Sequence, residues 1–222
     1  MAKKEEKPIQ IQLAEDDDAE KLRQWWKKNG SGIIAGIVLG VAGVGGVKGW
    51  EMYTERRSLT ASDLFQQMLA RQAVGSDAQA QELALQIRDD YGATPYADLA
   101  LLMLARLAVE NGDRERAEGY LTGVMNDSEN MAMEHIARLR LAQLALDAGD
   151  HRQAEQLVSV EERGGFESEY SEVLGDVYLE QKQWDKARTA YDRALEGLDP
   201  TAGAGQILTA KRNLAMQSAT DQ

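Results

Sequence analysis

Hydrophobic and polar residues follow two different patterns along this 222-residue chain. Gly30 to Val47 carries no charge, and continuing through Lys48 to Trp50 gives about the ~20 residues a helix needs to cross ~30 Å of hydrocarbon. Beyond residue 58, apolar positions recur every three or four residues between short polar breaks, with almost none of the alternation of a strand. This periodicity predicts helices over 58–73, 77–91, 96–111, 113–125, 131–149, 151–159, 168–182, 184–197 and 203–218. The expected fold class is all-α, a single N-terminal transmembrane helix followed by a helical repeat domain. The expected boundaries are a partly disordered tail over 1–29, the span over 30–50 and the repeat domain over 51–222.

The second pattern repeats itself. Leu107 to Glu118 aligns with Leu144 to Glu155, through Gly112-Asp113 with Gly149-Asp150 and Ala117-Glu118 with Ala154-Glu155, at a spacing of 37 residues. Periods of this size mark helical solenoids. Further on, Leu174, Gly175, Tyr178, Ala187, Tyr191, Ala194 and Pro200 fall almost where a tetratricopeptide repeat has its signature, with Pro200 one place late. Each has a packing reason. Gly175 and Ala187 are small where two helices cross, Leu174, Tyr178 and Tyr191 fill the space between them, and Pro200 stops the second helix. A degenerate first unit is expected over 59–95. The segment 203–218, with Ile207, Ala210, Leu214 and Ala215 on one face, is expected to cap the open end.

Both ends of the apolar run look like membrane interfaces, with Trp25, Trp26, Lys27 and Lys28 before it and Lys48, Trp50 and Tyr53 after it. A cleaved signal peptide is the main rival. It fits less well, because 29 residues precede Gly30 and Lys48 and Trp50 stand where small cleavage-site residues belong. Lys3, Lys4, Lys7, Lys21, Arg23, Lys27 and Lys28 against only Lys48, Arg56 and Arg57 behind the span predict a cytoplasmic amino terminus. Gly32, Gly36 and Gly40 form consecutive GxxxG steps, a groove for a partner helix. The alternative is that glycine is simply frequent in membrane helices.

Charge separates the two regions. Residues 1–50 hold 8 basic and 7 acidic side chains, leaving 17 and 30 for residues 51–222, in a chain of net charge −12. Such acidity argues against nucleic acid, whose phosphates demand Lys and Arg. The absence of cysteine removes disulfides, thiolate metal sites and a Cys nucleophile. The two histidines, His135 and His151, lack the convergent ligands that zinc needs and read as solvated or capping side chains. Asp16-Asp17-Asp18 lacks the glycine turn and distal Glu of a calcium loop. No Gly-x-Ser-x-Gly frames a nucleophile. Neither catalysis nor a cofactor is expected.

Recognition remains. A stack of helix pairs forms a concave surface lined by the first helix of each pair. The register places Leu99, Leu102, Arg106 and Val109 on it, then Ile136, Leu139, Gln143 and Leu146, then Glu169, Glu172, Asp176, Leu179 and Glu180. That trough, apolar first and acidic last, suits a polypeptide with basic segments. The alternative is that some of these Leu and Ile belong to the core or bury the capping helix.

The Trp-Trp-Lys-Lys-Asn-Gly approach at 25–30, the Gly-rich Ile33 to Gly46 span with Gly49-Trp50, the repeats and the closing Asn213-Leu214 together resemble the YfgM family, ancillary subunits of the bacterial SecYEG translocon. The likeness runs from about residue 20. It implies an inner-membrane protein with a periplasmic domain, working beside SecYEG and a membrane-anchored prolyl isomerase-like chaperone to assist newly exported polypeptides. The chain departs from the family in its longer, Lys-rich and acidic tail over 1–20. A competing expectation is a regulatory tether whose cytoplasmic tail binds a signalling partner, since repeat folds do not by themselves fix function.

Overall fold

The computed structural model describes residues 12–196, 198 and 203–220. All regular structure among them is helical: α1 (Gln12–Ala73), α2 (Asp77–Asp90), α3 (Pro95–Glu110), α4 (Arg114–Asp127), α5 (Met131–Asp147), α6 (His151–Val158), α7 (Glu167–Glu180), α8 (Trp184–Ala194) and α9 (Gly203–Thr220). The described residues fall into two compact units, divided between Arg56 and Arg57.

In the first unit, α1 contains the one helix among the described residues that is long and apolar enough to cross a membrane. The Trp26 ring lies over Gly30, close enough that a Cβ there would sit 3.2 Å from it. The Asn29 amide donates to the Trp25 carbonyl at 3.0 Å. At the other end Lys48 pairs with Glu51 at 2.8 Å and the Trp50 and Tyr53 rings stand 5.8 Å apart. Gly32, Gly36 and Gly40 have open space where side chains would be. Residues 12–29, expected as part of an irregular tail, are helical. Ala, Glu, Leu, Lys, Arg and Gln favour that state, and Lys21 pairs with Asp18 one turn away. α1 also runs on past residue 58 without the expected break, because no Gly or Pro falls between Trp50 and Ala73.

The second unit is a row of helix pairs that share small apolar clusters with their neighbours, as a solenoid requires. Met68 from the end of α1 packs with Ala80, Ala84 and Ile87 of α2 and Ala100 and Leu104 of α3. Ala105, Leu121, Val124, Ala137 and Leu141 join α3, α4 and α5. Leu139, Ala142, Val158, Tyr170 and Val173 continue through α6 into α7. Ala187, Tyr191, Ala194, Leu208 and Ala215 close the row at α9.

Each pair turns at the same joint. Gly75, Gly112 and Gly149 lie at φ of +72°, +73° and +75°, and Lys182 at +60° takes that place in the last pair. At every joint the next residue's N–H reaches back five residues: Ser76 to Arg71, Asp113 to Ala108, Asp150 to Ala145 and Gln183 to Tyr178, at 2.8 to 2.9 Å. This is the Schellman closure of a helix, which the left-handed residue makes possible. The same short segments start the next helix. Asp113 and Asp150 accept from the N–H groups of Arg116 and Gln153 at 3.1 and 2.9 Å, satisfying donors the helix leaves open.

Of the signature residues, Ala187, Tyr191 and Ala194 are fully buried and Leu174 and Tyr178 half-buried. A Cβ on Gly175 would lie 2.5 Å from the Tyr191 ring, so only glycine fits at that crossing. Pro200 lies outside the described residues. α9 does pack against α8, but with its other side inward. Leu208 and Ala215 are buried, whereas Ile207, Ala210 and Leu214, three of the four positions expected inside, face solvent.

His135 is not solvated. It is buried, its Nδ1 is hydrogen-bonded to the Tyr170 hydroxyl at 2.8 Å, and Phe166 covers the ring at 5.5 Å. Gly164, at φ +55°, lies so close that a Cβ would be 2.7 Å from Nε2. The hydroxyl supplies the partner that lets a polar ring remain inside. His151 is partly exposed and pairs with Glu180 at 2.9 Å.

Candidate functional site

A groove of about 270 Å³ runs between α3 and α5. Leu102, Ala105, Leu121 and Leu144 supply its apolar wall. These positions turn inward because residues three, four or seven apart share one helix face. Arg106 and Glu110 stand on the α3 rim, joined by a 2.8 Å ion pair that fixes both. Arg140, Gln143 and Asp147 stand on the α5 rim. Neither Arg140 nor Asp147 forms an ion pair among the described residues. Past Val109 the groove continues over Arg114 and Ala148. The site therefore offers apolar surface, a committed cation and anion on one side, and an uncommitted Arg, amide and Asp on the other. Chemically, that arrangement suits an apolar side chain flanked by polar groups.

Of the residues the register placed on the concave face, Leu102, Arg106, Val109 and Gln143 line this groove together. Leu99 and Ile136 are half-buried outside its lining. Leu139 and Leu146 must be corrected: at 7% and 9% exposure they lie in the core, Leu139 beside Tyr170 and Val173, Leu146 with Ala154 and Val177. The expectation erred by one position on α5, which turns a side chain by about 100°. Arg140, Gln143 and Asp147, polar residues that recur at three- and four-residue steps, were the signal for the face that lines the groove.

The acidic end of the trough is already occupied. Lys211 of α9 donates to Glu172 and Asp176 at 2.8 Å each, and the Tyr191 hydroxyl donates to the other oxygen of Asp176 at 2.7 Å. Burial works against the Lys211 charge, but its hydrogen bonds to the two carboxylates more than offset this and hold the ammonium above its usual range. Burial, reinforced by Asp176, also raises Tyr191 well above the ordinary phenol range. Leu179 packs beneath this network with the Ala187 and Tyr191 cluster. Glu172 and Asp176 thus hold a basic residue of the chain itself, and Leu179 serves the core.

The comparisons with known proteins agree with this architecture. The family model described as a tetratricopeptide repeat-like domain matches residues 23–216. A protein of Aggregatibacter actinomycetemcomitans named ancillary SecYEG translocon subunit is 30% identical over 185 residues, 83% of this chain and 90% of its own. One of the same name from Haemophilus influenzae is 30% identical over 56% of this chain and 60% of its own, and one from Escherichia coli K12 is 23% identical over 92% and 98%. No solved structure matches the chain. A family model covering nearly the whole chain and a relative matched across most of both lengths lead to one conclusion: the protein belongs to the YfgM family.

Proposed function

We infer that this is a single-pass inner-membrane subunit of the SecYEG translocon whose periplasmic repeat domain binds newly exported, still unfolded polypeptides without transforming them. The translocon association rests on the names of the relatives. The apolar helix and its aromatic and lysine flanks support the membrane span, and the excess of lysines before it supports a cytoplasmic amino terminus. Gly32, Gly36 and Gly40 supply the smooth face for a neighbouring membrane helix. A membrane-anchored prolyl isomerase-like chaperone is the expected companion, and no role involves nucleic acid.

The observation that carries the binding role is the α3–α5 groove, with apolar Leu102 and Leu144 between uncommitted Arg140 and Asp147. Its chemistry recognises a chain segment by side-chain burial and peptide hydrogen bonds and contains no nucleophile aligned with a base. A photocrosslinking amino acid at Gln143, which is exposed on the groove rim, should capture exported chains in intact cells. The same probe at Glu115 should not. Equal capture at both positions, or none at Gln143, rejects the groove as the binding site.

A further inference from the structure

The outer face of α9 carries an uncharged stripe with a pattern of its own. Gly203, Gln206, Ile207, Ala210, Asn213, Leu214 and Gln217 are all exposed, and at about 100° per residue they fall on the side opposite the buried Leu208 and Ala215. Ile207 and Leu214 remain 59% and 51% exposed despite their size. The only described charges on this helix are Lys211, which turns to Glu172 and Asp176, and Arg212, which pairs with Asp192 at 3.6 Å and donates to the Asn213 side-chain oxygen at 3.3 Å on the edge of the stripe.

Read from either end, the stripe is nearly the same. From Ala210 outward it meets a branched apolar residue with an amide beside it, Ile207 and Gln206 in one direction and Leu214 and Asn213 in the other. A helix face of this kind is self-complementary about a two-fold axis through Ala210, the condition for an isologous contact. Antiparallel packing brings Ile207 against Leu214 of the partner subunit while the small Ala210 lets the helix axes approach.

Charge selects the same occupant. At net charge −12, two copies repel across most of their surfaces. An uncharged stripe backed by two basic residues that are already neutralised is where they meet without that repulsion. We propose that α9 is a self-association surface on which a second copy of this chain packs its own α9, antiparallel, across Ala210.

The absence of cysteine makes the test direct. The full chain in its membrane carries Ala210→Cys, and mild oxidant then links copies only where two of these positions meet, since a disulfide requires Cβ atoms within about 3.5–4.5 Å. A species of twice the mass is expected for Ala210→Cys and not for Glu115→Cys. Adding Ile207→Glu and Leu214→Glu to Ala210→Cys should reduce the linked fraction at least about tenfold, which corresponds to ~1.4 kcal/mol. Both residues are exposed, and unchanged helical circular dichroism confirms that the fold is kept. Linking of Ala210→Cys no greater than that of Glu115→Cys overturns the proposal, and so does linking that survives the two glutamates.

Discussion

Gln143 on α5 faces an open groove, while Asp176, one joint-to-joint step of 33 residues further on, accepts hydrogen bonds from Tyr191 and Lys211. The two positions share a place in the repeat and serve opposite purposes. In the middle pairs this rim borders an open groove, the binding surface of the proposed function. At the carboxy-terminal end the same rim secures α9, so on the proposed function stability and recognition are divided along the array rather than combined at each unit. A solenoid permits this division because each pair answers only to its neighbours.

Substitutions within α5 break the comparison most strongly. Leu139→Ser or Leu146→Ser should each cost about 3 kcal/mol, the range for emptying a buried leucine site and adding an unpaired hydroxyl, and lower the urea midpoint. Arg140→Ala and Gln143→Ala should stay within about 0.5 kcal/mol of the parent and weaken polypeptide capture instead. A stable Leu146→Ser chain that fails to bind would return that residue to the groove.

Gly175→Ala comes next. Its Cβ must displace the Tyr191 ring, so we expect a loss of about 1–3 kcal/mol, as for other overpacked cores. Circular dichroism melts that match the parent would show that Tyr191 has room to move.

Lys211→Met tests the closed end directly. Leaving Glu172 and Asp176 without their cation should cost about 2 kcal/mol, between the values for exposed and fully buried pairs. Both Lys211 and Tyr191 bind their protons more tightly when folded. Their contribution is therefore complete below the unfolded values near ~pH 10 and is lost as pH rises through the folded values. Urea titrations at pH 8 and 11 should show the parent losing more stability between them than Lys211→Met does. Asp150→Ala, which removes one cap, should lower stability by about 1 kcal/mol in the same urea titrations.

The helices could be read from the sequence because each begins and ends on local chemistry. α2 was expected over 77–91 and spans Asp77–Asp90, and α9 was expected over 203–218 and spans Gly203–Thr220. Faces were less legible. On α9 the hydrophobic stripe pointed to Ile207, Ala210, Leu214 and Ala215, of which only Ala215 is buried, and the helix is held by it together with Leu208 and the cation of Lys211. A reading based on apolarity places a lysine outside, and only the acidic pair on α7 explains why it lies half-buried. The groove suffered similarly: Leu102, Arg106, Val109 and Gln143 were found, but a one-residue drift on α5 exchanged Arg140 and Asp147 for Leu139 and Leu146.

The repeated joints have a consequence for how such a chain can change over generations. Gly75, Gly112 and Gly149 each close one helix and sit immediately before the residue that opens the next. A duplication or deletion cut at equivalent joints would add or remove a whole helix pair without disturbing any turn. The array can therefore lengthen or shorten in whole units. Lys182 records the latitude allowed: the left-handed turn survives a side chain there, at a local strain of about 1 kcal/mol, so the pair it closes can diverge while remaining a compatible part of the series.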